Sequence, residues 1–144
     1  MSLEDFQRYC SENKQQIIIA QDIFQEHRRI LRAMHQNPNN FFSKVGRIVN
    51  AYPLVPLKIG QPNPHIDLVL VNNDGDSYLC ELSTSRGVGS NMSDRLAHSQ
   101  EWAKINFDLM TSAIHISRSN GKYIQRVYPP NFMDLLPVKA RFPE

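Results

Sequence analysis

Apolar residues near the N-terminus recur at the spacing of one face of an α-helix, and polar residues fill the remaining positions. The members of this stripe are Ile19, Ile23, Ile30 and Met34. The pattern predicts helix over residues 3–36, continuous or broken once. Residues 37–40 end it, because Pro38 disfavours helix in the residue before it. A shorter helix is predicted over residues 41–49.

Two short apolar runs further along the chain are typical of β-strands. They cover residues 66–71 and 77–82 and flank residues 72–76, which are rich in turn-forming Asn, Asp and Gly. We predict a β-hairpin here. The preceding residues 52–65 are predicted to be irregular because of their many prolines. These are Pro53, Pro56, Pro62 and Pro64.

Beyond a small polar loop, the pattern predicts another helix and another hairpin. Helix is predicted over about residues 91–111, with apolar residues seven positions apart on one stripe. These are Leu96, Ala103 and Met110. Residues 112–117 and 123–128 predict a hairpin that turns at Asn120 and Gly121. The order of helix, two strands, helix and two strands predicts an α/β or α+β fold, a mixed β-sheet flanked by helices.

The length of 144 residues suits one compact domain. We divide it into a mainly helical part (residues 1–50), a core of hairpin, helix and hairpin (residues 64–128) and a tail without a clear element (residues 129–144). Hydrophobic residues make up 41% and charged residues 21%, an ordinary globular balance. The formal net charge of +2 is too small to indicate nucleic-acid binding by itself.

Cysteine usage and hydropathy exclude several classes of protein. Cys10 and Cys80 form no CxxC pair, so neither a thiolate zinc site nor a disulfide framework is expected. Cys80 lies in an apolar run, where a buried free thiol is the ordinary interpretation. The chain has no apolar run of about 18 residues, and its N-terminus has no basic segment leading into an apolar stretch. We therefore expect no membrane span and no secretory signal.

The acidic residues within the first predicted hairpin are the candidates for chemistry. Asp67 and Glu81 both lie in strongly apolar strands, where side chains alternate between the two faces. A lone buried carboxylate is unfavourable, and two carboxylates on paired strands repel each other. A divalent cation between them would remove both problems, which favours a site for one or two Mg²⁺ or Mn²⁺ ions. The alternative is that each carboxylate lies half solvated at a strand end or pairs with an arginine.

The same segment resembles a nuclease family. Asp67, a turn and Glu81 resemble the PD-(D/E)XK motif, in which a hairpin supplies Asp and Glu and a lysine follows two residues later. Ile66 stands where that motif prefers proline, and Ser83 stands where it has lysine. The cap-snatching endonucleases of segmented negative-strand RNA viruses instead carry the lysine on the following helix and add an upstream histidine. Residues 81–86, Glu-Leu-Ser-Thr-Ser-Arg, are similar to the Glu-Phe-Thr-Thr-Thr-Arg segment of their phlebovirus-like members.

The resemblance implies a metal site and a cation for the transition state. Asp67 would bridge the ions. Glu81, the upstream His35 and the carbonyl group of Leu82 would complete the metal shell. Lys104, on the following helix, would orient the attacking water or stabilise the pentacovalent phosphorus.

Several of these assignments have rivals in the sequence. His65 lies two residues before Asp67 on the same strand face, so it could hold the metal instead of His35. A histidine at a helix end is also often a solvent-facing or capping residue. Lys104 could be a solvated lysine on an amphipathic helix. The other histidines are His27, His98 and His115. The cations expected to bind substrate are Arg86 and Lys58, with Arg95 also available.

The resemblance predicts an endonuclease that cuts single-stranded RNA with Mn²⁺ or Mg²⁺. The implied substrate is capped host mRNA, cut to prime viral transcription. The chain would then be part of a larger viral polymerase, in the host cytoplasm or carried in the virion. Two alternatives stay open: a different PD-(D/E)XK nuclease that cuts DNA, and an inactive domain of the same fold that binds nucleic acid or acts as a scaffold. Nothing in the sequence indicates an oligomeric state.

Overall fold

Helices and strands combine into one five-stranded sheet with helices packed against it. The computed structural model describes residues 2–19, 25–83, 92–119 and 121–130. The helices are α1 (Ser2–Asn13), α2 (Gln25–Gln36), the short α3 (Pro38–Phe41) and α4 (Met92–Phe107), and a 3₁₀ turn covers Ser43–Val45. The strands are β1 (Ile48–Lys58), β2 (Gln61–Asn72), β3 (Ser77–Ser83), β4 (Ser112–Ser119) and β5 (Lys122–Tyr128).

The sheet is mixed and its strands follow one another in chain order. Neighbouring strands are antiparallel except β3 and β4, which are parallel. A parallel pair needs a crossover connection, and α4 provides it. Ser112, where β4 begins, lies level with Tyr78 near the start of β3, so α4 runs back from the Ser83 end of β3. This architecture confirms the predicted fold class.

Helices cover both faces of the sheet because side chains alternate along each strand. Leu68 of β2 points to one face and shares a core with Leu31 of α2. Val69, the next residue, shares the other core with Phe6 of α1 and Ala103 of α4. The sheet therefore lies between two helical layers.

The cysteines and the hydropathy of the helices agree with the sequence analysis. Both Cys10 and Cys80 are buried free thiols, as predicted for Cys80. Burial raises the pKa of the Cys10 thiol to about 12, and that of Cys80 also lies well above its ordinary value. Among the helices of the described ranges, none is long and apolar enough to cross a bilayer.

Both predicted hairpins are present. β2 and β3 form the first, and β4 and β5 form the second. Gly121 adopts a φ of 77° in the second turn, a conformation that glycine reaches without steric strain. Asn120 and the tail from residue 131 lie outside the described residues.

The prediction for residues 52–65 was wrong, because they form strand and not irregular chain. Pro53 and Pro56 belong to β1, which is an edge strand, and an edge tolerates proline because half of its N–H groups need no ladder partner. The next two prolines lie at the start of β2. That part pairs with β1 alone, since the pairing with β3 begins at Leu68.

The helix predictions near the N-terminus were only partly right. Within residues 3–36, residues 14–19 are not helical, and residues 20–24 lie outside the described ranges. Residue Gln15 instead lies beside β1, where its N–H group is 3.3 Å from the Leu54 carbonyl oxygen. The helix predicted over residues 41–49 was wrong, since α3, the 3₁₀ turn and the start of β1 occupy that part of the chain.

The second predicted helix ends earlier than residue 111. The last helical residue is Phe107, and Asp108 adopts a left-handed φ of 51°. The Asp108 N–H group donates to the Lys104 carbonyl at 2.9 Å, so this residue caps the helix. Met110, which the apolar stripe included, is consequently 53% exposed.

Candidate metal centre

The two predicted carboxylates lie at the end of the first hairpin, where β2 and β3 separate. Residue pairing between these strands extends as far as Leu68 and Cys80. Further on, β2 continues alongside β1, and β3 continues alongside β4. Asp67 and Glu81 are the first residues beyond the last pair, and both are buried. The separation leaves backbone groups that need other hydrogen-bond partners.

The Asp67 carboxylate provides such a partner. Its Oδ2 atom accepts the N–H group of Leu82 at 2.9 Å and lies 3.3 Å from Nε2 of His27. Its Oδ1 atom lies 3.1 Å from Nε2 of His65. Nε2 of His27 is also 3.1 Å from the Leu82 carbonyl oxygen. Two imidazoles and the Leu82 N–H group therefore meet at one buried carboxylate, and the Leu82 carbonyl oxygen contacts His27.

Among the described residues, Arg95 is the cationic partner of Glu81. The Glu81 side chain is 2% exposed, and Arg95 Nη2 donates to Oε2 at 3.1 Å. Arg95 lies in the first turn of α4, and its own side chain is 48% exposed. Because that guanidinium is half in solvent, it compensates the buried carboxylate only in part.

The environment shifts the pKa values of the two carboxyl groups in opposite directions. Burial opposes the ionisation of Asp67, but hydrogen bonds from His27 and His65 outweigh it and hold the pKa of Asp67 well below its ordinary value. Burial and then the neighbouring Asp67 charge raise the pKa of Glu81 well above its ordinary value, against the opposing effect of Arg95. Without a cation, this environment favours the ionised form of Asp67 and disfavours the ionised form of Glu81.

His27 reaches the site from the first turn of α2. The residue before it, Glu26, accepts hydrogen bonds from Arg118 of β4 and from the Tyr123 hydroxyl of β5, the latter at 3.2 Å. These contacts fix the start of α2 against the sheet. Burial disfavours the charged form of His27, but hydrogen bonding and attraction to Asp67 outweigh it and raise its pKa.

His65 is oriented by the residues just before it. Its Nδ1 atom lies 2.9 Å from Oδ1 of Asn63 and 3.3 Å from the Pro62 carbonyl oxygen. These contacts of Nδ1 fix the orientation of the ring, which directs Nε2 at Asp67. Histidines that bind metals are usually held in the same way, by a hydrogen bond from the second ring nitrogen. This geometry agrees with the expectation that His65 lies on the same strand face as Asp67 and reaches the site.

The structure does not bring His35 to this centre, and the sequence-based assignment is corrected accordingly. His35 follows His27 by eight residues on α2, which is about 12 Å along the helix axis. It lines a different cavity, and burial lowers its pKa. The histidine of α2 that contacts Asp67 is His27. Nothing local in the sequence singles out His27, because its role depends on where α2 begins and on how α2 crosses the sheet.

Lys104 is also distant from the carboxylates. It lies nine residues after Arg95 on α4, about 14 Å along the axis and on the opposite side of the helix. Its side chain is exposed, at the end of α4 that points away from Glu81. The cation that the structure brings to the site is Arg95, which the sequence analysis named without giving it a role.

Lys58 and Arg86 are the two cations that the sequence analysis expected to bind substrate. Lys58 is exposed at the end of β1, paired with Gln61, and does not line the cavity that contains Asp67. Arg86 lies outside the described residues. Leu82, whose carbonyl was expected to bind metal, does lie at the centre of the site.

Leu54 adds backbone strain beside the carboxylates. It lies opposite Asp67, because its neighbours Pro53 and Val55 pair with Leu68 and Ile66. Its φ of 48° is left-handed, which for a branched residue costs roughly 1–3 kcal/mol. This conformation directs the Leu54 carbonyl to Gln15, whose Nε2 donates at 3.2 Å. Such strain concentrates at functional sites in proteins.

The donor set suits a divalent cation. Asp67, Glu81 and the Leu82 carbonyl offer oxygen ligands, and His27 and His65 offer imidazole nitrogens. Imidazole together with carboxylate favours Mn²⁺ over Mg²⁺. In the part of the chain that the structure describes, no three His, Cys, Asp or Glu side chains surround a common point in ligand geometry. The Asp67 oxygens are bonded to the histidines instead, so a cation would replace these hydrogen bonds.

A cavity of about 680 Å³ opens beside Asp67, and Arg28 and Arg95 contribute to its walls. A cation held by the carboxylates would therefore face a space large enough for a nucleotide, with guanidinium groups around it. No family model, curated protein or solved structure matches this chain. The resemblance to cap-snatching endonucleases thus remains an expectation from the sequence.

Proposed function

We propose that this protein is a divalent-metal-dependent endonuclease that cuts single-stranded RNA. The observation that carries the proposal is the buried Asp67 carboxylate, which meets Nε2 of His27 at 3.3 Å and Nε2 of His65 at 3.1 Å beside an open cavity. Buried carboxylates with imidazole partners and perturbed pKa values are typical of functional sites. The choice of RNA as substrate comes from the resemblance of residues 81–86 alone.

The residues around Asp67 would hold the cation and keep its ligands in place. Asp67, Glu81, the Leu82 carbonyl and one or both histidines would hold the cation, which when bound lowers the pKa of a water ligand and neutralises charge on the phosphate. Asp67 and Glu81 could then both be ionised, because the cation would offset the repulsion that raises the pKa of Glu81. The deep burial of both side chains holds these ligands in place.

Arg95 would supply the positive charge that the motif assigns to lysine. Its guanidinium has five N–H donors, of which the contact with Glu81 uses one. The half-exposed side chain is therefore able to donate to a phosphate oxygen in the cavity while it still contacts Glu81.

A nucleic-acid-binding domain without cleavage is the second candidate. One observation favours it: the described residues that line the cavity beside Asp67 include no lysine. The finer proposal, taken from the same resemblance, is that the RNA is capped host mRNA. The chain would then act within a viral polymerase, in the host cytoplasm or the virion.

The deciding experiment uses a circular single-stranded RNA and a circular DNA of the same sequence, each incubated with and without Mn²⁺. Circles report internal cuts only. Cleavage of RNA that needs Mn²⁺ and disappears in Asp67→Asn, but persists in the surface variant Asp76→Asn, is the expected result. Preferred cleavage of DNA would replace RNA with DNA as the substrate, and binding without cleavage would favour the inactive domain.

A further inference from the structure

A second cavity lies next to the one that contains Asp67. It encloses about 510 Å³, and its polar lining consists of Lys14, Gln15, Gln16, Arg32, His35 and Gln36. Gln15 and Gln16 line both cavities. The two spaces therefore share a wall made of the non-helical segment of residues 14–19.

The second cavity is basic. Lys14, Arg32 and His35 line it, and none of the described residues that line it is acidic. The Lys14 ammonium donates to the Ser11 carbonyl at 2.7 Å, and Arg32 Nη2 donates to the Ile17 carbonyl at 3.2 Å. A lysine has three N–H donors and an arginine five, so both retain donors for an anion. The overall charge of +2 shows that this is a local concentration of positive groups.

The shared wall is held firmly between the cavities. The Gln15 side chain donates to the carbonyls of Leu54 at 3.2 Å and Pro62 at 3.3 Å. These two acceptors lie on β1 and β2, next to the candidate metal centre. The Arg32 contact with Ile17 fixes the same segment from the side of α2. A ligand that occupied both cavities would thus meet one continuous, ordered surface.

We infer that the second cavity is a subsite for the same nucleic-acid strand, in which Lys14 and Arg32 bind a backbone phosphate away from the bond that is cut. This inference rests on the proposed nuclease function for the identity of the strand. His27 and His35 are separated by about 12 Å along the axis of α2. This distance corresponds to roughly three or four nucleotides at about 3.4 Å each, the axial rise of a stacked strand. The volume suits one nucleotide, and the glutamines offer amide groups to its base.

Binding of fluorescent single-stranded RNA, measured by anisotropy in EDTA, tests the subsite without cleavage. A dodecamer spans both cavities, whereas a dinucleotide spans one. The double variant Lys14→Ala/Arg32→Ala is compared with Lys44→Ala/Arg47→Ala, which removes the same charge at exposed positions outside both cavities. Because Arg32 also holds Ile17, the single variant Lys14→Ala and the melting temperatures of all proteins are measured alongside.

We expect the Lys14/Arg32 variant to bind the dodecamer about tenfold more weakly than wild type, as the removal of one charge-assisted hydrogen bond would produce. The slope of log affinity against log salt should fall by about 0.7 for each phosphate that the variant no longer binds. The control variant should show neither change, and Lys14→Ala should show part of it. The dinucleotide, whose single phosphate can occupy the basic cavity, should also bind the Lys14/Arg32 variant more weakly. Equal weakening in both double variants would overturn the subsite.

Different experimental results would contradict the proposed nuclease function and the proposed subsite. If Mn²⁺-dependent cleavage is present but the Lys14/Arg32 variant matches its control, the nuclease stands and the subsite does not. If the variant binds the dodecamer more weakly but Mn²⁺ neither stabilises the protein nor supports cleavage, the chain is a binding domain and the subsite stands. If wild type binds no RNA, both proposals fall for this substrate.

Discussion

Acidic residues are exposed at one end of the hairpin formed by β2 and β3 and buried at the other end. At the turn end, Asp74 and Asp76 are exposed, and the buried polar residues Asn72 and Ser77 are neutral. Asn72 makes several hydrogen bonds there. Its Nδ2 donates to the Val45 carbonyl at 2.8 Å, and its Oδ1 accepts the N–H groups of Asp74 and Asp76 at 3.0 and 2.9 Å. The amide thus makes good hydrogen bonds in the interior while the charges lie in water.

At the open end the carboxyl groups themselves are buried. Asp67 is 4% exposed and Glu81 1%, although either position could have carried an amide or an apolar residue of similar size. Burial of two adjacent carboxylates lowers stability unless a cation or a partner compensates it. The turn end thus keeps its charges in water, whereas the open end buries two carboxyl groups, which is the arrangement expected of the proposed cation site.

The largest effect should come from Asp67→Asn, which keeps the shape of the side chain but removes its charge. We expect cleavage to fall by about 100-fold or more, because the shared metal ligand is removed. The matched change at the turn end, Asp76→Asn, should leave cleavage unchanged and stability within about 0.5 kcal/mol. Cleavage rates and melting curves of both variants measure this contrast. Full activity in Asp67→Asn would remove the open end as the catalytic centre.

Stabilisation by Mn²⁺ should distinguish the histidines. At about 100 times its dissociation constant, the ion should add about 2.7 kcal/mol to the free energy of unfolding, several degrees in Tm for a domain of this size. His27→Ala should lose most of this gain, whereas His35→Ala, which alters a different cavity, should retain it. Melting curves with and without Mn²⁺ provide the measurement. The reverse pattern would restore the sequence-based choice of His35.

The open end was found from the sequence because its signals are local. Alternation along a strand and a turn of Asn, Asp and Gly predicted the hairpin, and the unusual carboxylates within it were visible as Asp67 and Glu81. The residues that complete the site come from parts of the sequence distant from the hairpin. His27 and Arg95 reach it from helices on either side of the sheet, and only tertiary structure determines which helical residue faces a given strand.

The proline-rich start of the sheet could not be predicted for a related reason. Pro53 and Pro56 are incompatible with a central strand but acceptable at an edge, and the sequence does not state which strand forms the edge. The prediction over residues 3–36 is right for α1 and α2 but wrong for residues 14–19, because the isoleucines around residue 18 are equally typical of an extended segment. In the structure that segment follows β1 and separates the two cavities.

Glu81→Gln should make the metal-free protein more stable at neutral pH. The pKa of Glu81 is raised on folding, so its contribution to stability is complete below the unfolded pKa of about 4.5 and declines as pH rises toward the folded pKa. The decline approaches about 1.4 kcal/mol per pH unit. Glutamine has no such penalty and can still accept from Arg95.

The measurement is denaturant unfolding in EDTA between about pH 4 and pH 8. The stability advantage of Glu81→Gln over wild type should vanish below about pH 4.5 and grow above it. Asp76→Asn, at the exposed turn end, should show no comparable dependence. A variant that is less stable than wild type at pH 7 would mean that Glu81 is ionised and fully compensated in the folded protein.

The smallest effect should come from Lys104→Ala. The family resemblance makes this lysine the transition-state cation, but its side chain is exposed about 14 Å from Arg95 along α4 and on the opposite side of that helix. We therefore expect cleavage within about twofold of wild type and stability within about 0.5 kcal/mol. The matched variant Arg95→Ala should slow cleavage much more, because it removes the guanidinium that contacts Glu81 at 3.1 Å. Single-turnover cleavage rates at saturating Mn²⁺ compare the two variants directly. A large decrease in the cleavage rate of Lys104→Ala, with little change in Arg95→Ala, would assign the role of transition-state cation to the lysine. The C-terminal end of α4 would then have to lie beside the substrate.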